Sequence, residues 1–218
     1  MRTGRPVVTL TIIALCAVSW VLQLVTDGAW TQRWAFAPVV GLDEPWRFLT
    51  AAFLHSTSPM HILFNMYALW IVGPFLEQAF GRGRFIALYV LAAVGGSVGI
   101  VLLSTPADGL GIWYTGAVGA SGAVFGLFGA IIPALRRMGR SATQIVVLIA
   151  INMAIPFFLP NIAWQAHLGG LAVGLLVGAG YAAAPRERQA LVGWALPTLV
   201  GAALVAVTLW RYAAVGYL

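Results

Sequence analysis

The 218-residue chain predicts an all-α, polytopic membrane protein, and three observations carry that expectation. Hydrophobic residues make up 61% of the chain and charged residues 8%, with a mean hydropathy of +0.93, far from the composition of a soluble domain. Apolar runs close to the roughly 20 residues needed to cross a bilayer recur along the chain. All twelve basic residues are Arg, and most gather in the short breaks between those runs. Such clustering sets membrane orientation and does not build a phosphate-binding surface, so the net charge of +6 gives no reason to expect nucleic acid as a partner.

Seven segments follow in order. The first, Val7–Val25, is long and is not ended by a clear small-residue cleavage site, so it reads as a span and not as a removable signal. The connection from Thr26 to Pro59 carries Trp30, Trp34 and Trp46, amphipathic aromatics that favour the membrane–water interface. Met60–Ala79 is the second span, closed by Gly81-Arg82-Gly83-Arg84, and Phe85–Ser104 is the third. Ala117–Leu135 is the fourth, closed by Arg136-Arg137-Met138-Gly139-Arg140, and Ala142–Leu159 is the fifth, ended by Pro160-Asn161. Trp164–Ala183 is the sixth, followed by Pro185-Arg186-Glu187-Arg188, and Leu191–Trp210 is the seventh. The expected organisation is a single membrane domain over 1–218, with a core of about 7–184 and an additional helix at about 191–210.

With the N-terminus cytoplasmic, the inner segments hold Arg2, Arg5, Arg82, Arg84, Arg136, Arg137, Arg140, Arg186 and Arg188. The outer segments then hold Arg33, Arg47 and Arg211, and the opposite orientation inverts that bias. Segments two, four and six consequently run from outside to inside. His61 and Asn65 open segment two, Ser121 opens segment four and His167 opens segment six. At 1.5 Å per residue, each lies within roughly 10 Å of the outer end of its helix. Four polar groups from three helices therefore share one depth.

Those groups suit acyl transfer. Ser121 needs a base to take its proton, and Gly116, Gly119 and Gly122 around it allow backbone N–H groups at a helix start to face a developing oxyanion. Taken alone, Ser121 reads as a small packing residue beside a Gly122–Gly126 helix contact. His167 shifts that balance, because an ionisable group inside a span is costly and marks function by default. Gly170, Gly174 and Gly178 extend a smooth face below it, which asks for a close neighbour and predicts packing on segment four. His61 and Asn65, at i and i+4, project from one face as candidate oxyanion donors. Their alternatives are a polar pair joining two helices, or a metal site with His167. No Asp, Glu or Cys lies at this depth to complete a ligand set, so neither a metal nor any other cofactor is expected. The same lack of a carboxylate predicts a Ser–His dyad and not a triad. His55 reads as a solvated or interfacial residue of the first loop, and Glu77 as a structural ion pair with Arg82 and Arg84.

Several pieces in this order resemble the rhomboid intramembrane serine proteases along nearly the whole chain. They are Trp46-Arg47, His61-xxx-Asn65, Glu77-Gln78-Ala79-Phe80-Gly81-Arg82, Gly119-x-Ser121-Gly122 and Ala166-His167-x-x-Gly170-x-x-x-Gly174. The resemblance implies a six-helix rhomboid-like bundle, here with a seventh C-terminal helix. It implies Ser121 as nucleophile and His167 as general base and acid. His61, Asn65 and the Ser121 N–H would form the oxyanion hole, supported by Gly119 and Gly122, with Phe125 stacking on the catalytic histidine. Segment five and the loop Leu159–Gln165 would gate and cap the entry of substrates, which are other transmembrane proteins cut near the outer face. A multi-pass protein of a bacterial inner or plasma membrane is expected, with its C-terminus and active site outside. The competing reading is an inactive rhomboid-like protein that binds membrane helices without cutting them.

Overall fold

A computed structural model describes residues 4–109, 111–158 and 162–218. Nine α-helices are described: α1 Val7–Val25, α2 Ala29–Trp34, α3 Arg47–Thr50, α4 Pro59–Phe80, α5 Arg82–Leu103, α6 Ser121–Arg137, α7 Thr143–Ala154, α8 Trp164–Ala183 and α9 Gln189–Ala214. Five of them (α1, α4, α5, α8 and the helical run ending in α9) are long and apolar enough to cross a membrane. The chain is an all-α, multi-pass membrane protein.

Two segments are shorter than the sequence suggests. α6 begins at Ser121 and not at Ala117, because the preceding stretch stays extended and pairs with distant backbone: Phe36 and Ala117 exchange hydrogen bonds of 3.1 and 2.7 Å, and Gly119 N donates to Ala51 O at 3.0 Å. α7 ends at Ala154 and passes into a 3₁₀ turn at Ile155–Phe157, where Pro156 has no N–H to continue the ladder. Leu159, Pro160 and Asn161, at the start of the expected cap loop, lie outside the described residues.

The centre is a trio of helices in backbone contact. A Cβ added at Gly122 would meet Ala166, at Gly126 Gly170 O, and at Gly178 Ala130, so α6 and α8 run parallel in fixed register. Cβ atoms at Gly99 and Gly95 would meet Gln165 and Val173 respectively, so α5 runs antiparallel to α8. The glycine face of α8 thus lies directly on α6, where small residues let backbones approach in lipid. The apolar core gathers between this trio and α4, with Leu69 and Leu76 of α4 and Phe85, Leu88, Leu127 and Val177 of the trio almost fully buried.

α1 is tied on by Glu77. The buried carboxylate accepts from Val8 N at 3.1 Å, Thr9 N at 2.9 Å and Thr9 Oγ1 at 2.9 Å, satisfying first-turn donors that have no intrahelical partner. Arg82 stands 3.8 Å away, while Arg84 lies over the Tyr181 ring. The expected structural ion pair is present with Arg82, and the carboxylate in addition caps the first turn of α1.

Candidate active site

Three helix starts meet at one end of the bundle. Ser121 is the first residue of α6, His167 the fourth of α8 and His61 the third of α4. His167 Nε2 and Ser121 Oγ lie 2.9 Å apart, at hydrogen-bond distance. The imidazole is buried, and the Phe125 ring stacks on it with centroids 4.2 Å apart and planes 7° from parallel. Phe125 lies four residues after Ser121 on the same helix face, so a single helix presents both the hydroxyl and the plate that orients the ring. Among the described residues no polar group is within hydrogen-bond range of His167 Nδ1. The ring is held by the Phe125 stack on its face and by the Ser121 hydroxyl at Nε2.

Backbone shape brings His61 to the same point. Gly119 has φ +138°, a conformation that side chains avoid, and a Cβ there would sit 3.1 Å from His61 Nε2 and 3.5 Å from Ser121 Oγ. Glycine therefore leaves open the space between the imidazole and the hydroxyl. On the other side of the ring, Ser56 N donates to His61 Nδ1 at 3.0 Å. A nitrogen that accepts an N–H carries no proton itself, so the neutral ring holds its hydrogen on Nε2. The nitrogen facing Gly119 and Ser121 is thus a donor.

Asn65 lies one turn further along α4 and is buried. Its amide donates to His61 O at 2.8 Å, which uses one of its two hydrogens within its own helix. Gly122 lies against Ala166 and Gly96, immediately beside the Ser121–His167 pair.

His55 departs from expectation. It is fully buried, not solvated, because Gln23 of α1 grips its backbone from both sides: Gln23 Nε2 donates to His55 O at 2.7 Å and His55 N donates to Gln23 Oε1 at 2.9 Å. Its ring meets the His61 ring edge-on at 5.3 Å. Burial pushes its pKa down to about 3, with His61 acting in the same direction. Three contributors escaped the sequence reading. These are the His55 packing, the Ser56 N–H on His61, and the pairing of Gly119 with Ala51, all set by contacts across loops.

Comparison with known proteins adds to this geometry. The rhomboid domain family model matches residues 42–184. Rhomboid protease GluP of Bacillus subtilis (strain 168) is 33% identical over 192 residues, covering 82% of this chain and 35% of that protein. RHOMBOID-like protein 1 of Arabidopsis thaliana is 36% identical over 172 residues, covering 73% of this chain and 42% of that protein. Putative rhomboid protease YdcA of Bacillus subtilis (strain 168) is 33% identical over 181 residues, covering 79% of this chain and 86% of that protein. The chain thus spans less than half the length of the first two relatives.

Proposed function

The chain belongs to the rhomboid family, and from that premise we propose that it is an intramembrane serine endopeptidase cutting transmembrane proteins through a Ser121–His167 dyad. The observation that carries this reading is the 2.9 Å contact between a buried imidazole and a serine hydroxyl borne by separate helices. His167 Nε2 takes the Ser121 proton as Oγ attacks the scissile carbonyl. The oxyanion that forms accepts from the Ser121 N–H, which has no carbonyl a turn behind it, and from His61 Nε2–H, held in that tautomer by Ser56. The second amide hydrogen of Asn65 is the further donor. His167 then protonates the departing amine, and water, activated by the same imidazole, releases the acyl chain.

Arginine placement supports a cytoplasmic N-terminus and a site open to the outer face, in a bacterial cell membrane. Entry of a substrate helix is assigned to the α7 side, where Ile149 is the one buried residue of that helix among those described. The 218-residue chain acts as one domain in this reading.

Cleavage of a reporter transmembrane substrate by purified protein in proteoliposomes tests the assignment. Activity is expected to vanish in Ser121→Ala and in His167→Ala. Equal cleavage by wild type and Ser121→Ala rejects the protease. Substrate binding with no cleavage by wild type points to the helix-binding alternative.

A further inference from the structure

α9 is the largest element that this chemistry leaves unused. Among the described residues, Val200, Thr208 and Tyr212 are the buried ones of its 26. Its polar attachment is concentrated in the last turn. Arg211 donates from Nη2 to Ser104 O at 2.7 Å and from Nε to Val101 O at 3.3 Å. Tyr212 is completely buried, and its hydroxyl donates to Pro38 O at 2.7 Å. A side chain at Gly41 would collide with that hydroxyl, so the glycine makes room for it. Trp113, also completely buried, donates from Nε1 to Tyr217 Oη at 3.0 Å, and its ring meets Tyr212 and Tyr217 edge-on at 5.9 and 5.4 Å.

A run of backbone hydrogen bonds leads from this aromatic cluster to the serine. Val39 N donates to Trp113 O at 3.1 Å, next to the Pro38 carbonyl that Tyr212 holds. Two residues before Pro38, Phe36 forms the bridge to Ala117, and Gly119 then donates to Ala51 O. Ser121 begins α6 two residues later. The stretch Gly116–Ala120 contains two glycines and no regular structure of its own. Glycine loses more conformational freedom on ordering than any other residue, so the geometry of this stretch has to be imposed from outside.

We infer that the end of α9 is a clamp on the stretch that delivers Ser121, with Tyr212 its main positioning residue. The catalytic consequence rests on the Ser121–His167 reading; the structural consequence does not. The full chain in bicelles, as wild type, Tyr212→Phe and Tyr212→Ala, is examined by amide hydrogen exchange and by steady-state cleavage of the reporter substrate. Tyr212→Phe removes one hydroxyl, and is expected to speed exchange at the Ala117 and Gly119 amides by about 3- to 10-fold, the range of one hydrogen bond, while amides within α4, α5 and α8 are unmoved. kcat is expected to fall by a similar factor with KM within about twofold, the signature of misplaced groups and not of weaker binding. Tyr212→Ala exaggerates both effects, and if it does not fold, Tyr212→Phe decides alone. Unchanged exchange at Ala117 and Gly119 overturns the clamp. So does acceleration spread evenly over all helices, whereas local acceleration with kcat unchanged upholds the clamp and overturns its catalytic consequence. Should wild type cleave nothing, the protease assignment fails, and the exchange measurement still decides whether α9 holds the loop.

Discussion

Gly170→Ala is the sharpest probe of the site, because it inserts one methyl group where two backbones touch. The added Cβ would lie against the Gly122 carbonyl, with the carbonyl carbon at 2.6 Å and Ala92 O at 3.2 Å. Carbon atoms rest at about 3.5 Å and the carbonyl oxygen is nearer still, so α6 and α8 have to part by at least roughly 0.9 Å, and neither neighbour is a flexible side chain able to yield instead. Ser121 is adjacent to Gly122, and His167 is one turn before Gly170. A separation of that size lengthens the 2.9 Å Nε2···Oγ contact to about 3.8 Å, beyond hydrogen-bond range. A misplacement near 1 Å costs on the order of a hundredfold in rate, or about 2.7 kcal/mol of transition-state stabilisation. The assay is kcat for cleavage of the reporter substrate, per folded molecule, alongside the rate of labelling by a serine-directed fluorophosphonate. Gly178→Ala, which presses on Ala130 further from the serine, is expected to cost stability with a smaller loss of rate. Gly83→Ala, whose Cβ would meet nothing within 4 Å, is the neutral control. If folded Gly170→Ala cleaves within threefold of wild type, close backbone packing does not set the distance between the pair.

Other consequences can be checked independently. Asn65→Ala is expected to lower kcat by about tenfold or more at nearly unchanged thermal stability, since the amide's local bond to His61 O is a minor one; loss of folded protein would mark Asn65 as a structural residue. Selective ¹⁵N labelling of the three histidines is expected to show His61 with a bare Nδ1 and a protonated Nε2, and the opposite tautomer would refute its role as a donor toward Ser121. His55 stays neutral in the fold and regains an ordinary pKa of about 6.5 when unfolded, so the unfolded chain binds more protons below that pH. Stability is then complete above about pH 6.5 and declines on acidification toward pH 3, by up to about 1.4 kcal/mol per pH unit. Thermal midpoints measured against pH should flatten in His55→Gln. Phe125→Ala, removing the plate under His167, is expected to reduce kcat by about 3- to 10-fold, the worth of an aromatic contact, and unchanged kcat in the folded variant would refute an orienting role for the stack.

The spans were legible because a bilayer leaves little choice of element: about 20 apolar residues must form a helix. Val7–Val25 and Trp164–Ala183 match the helices residue for residue. Gly116–Ala120 misled because its composition suits a span, while the partners that keep it extended, Phe36 and Ala51, lie far away in sequence. Pro156 was a stop signal visible in the chain and passed over within an apolar run. At the site, residue types and their positions at helix starts sufficed to single out Ser121, His167 and His61, and the fold brings these three together. The burial of His55 and the capping role that Glu77 adds to its ion pair with Arg82 are not legible locally, because the partners that matter, Gln23 for one and the first turn of α1 for the other, come from a different helix.

The carboxylate of Glu77 also bears on how the protein is made. α1 leaves the ribosome almost seventy residues before the group that completes its first turn, so for that interval Val8 and Thr9 have donors without their final acceptor. A nascent chain halted before Glu77 would present an unfinished helix to the insertion machinery, and one extended past it could lock α1 to α4 at once. Biogenesis would then have a built-in checkpoint at the fourth helix, passed before any part of the serine-bearing helix has been synthesised.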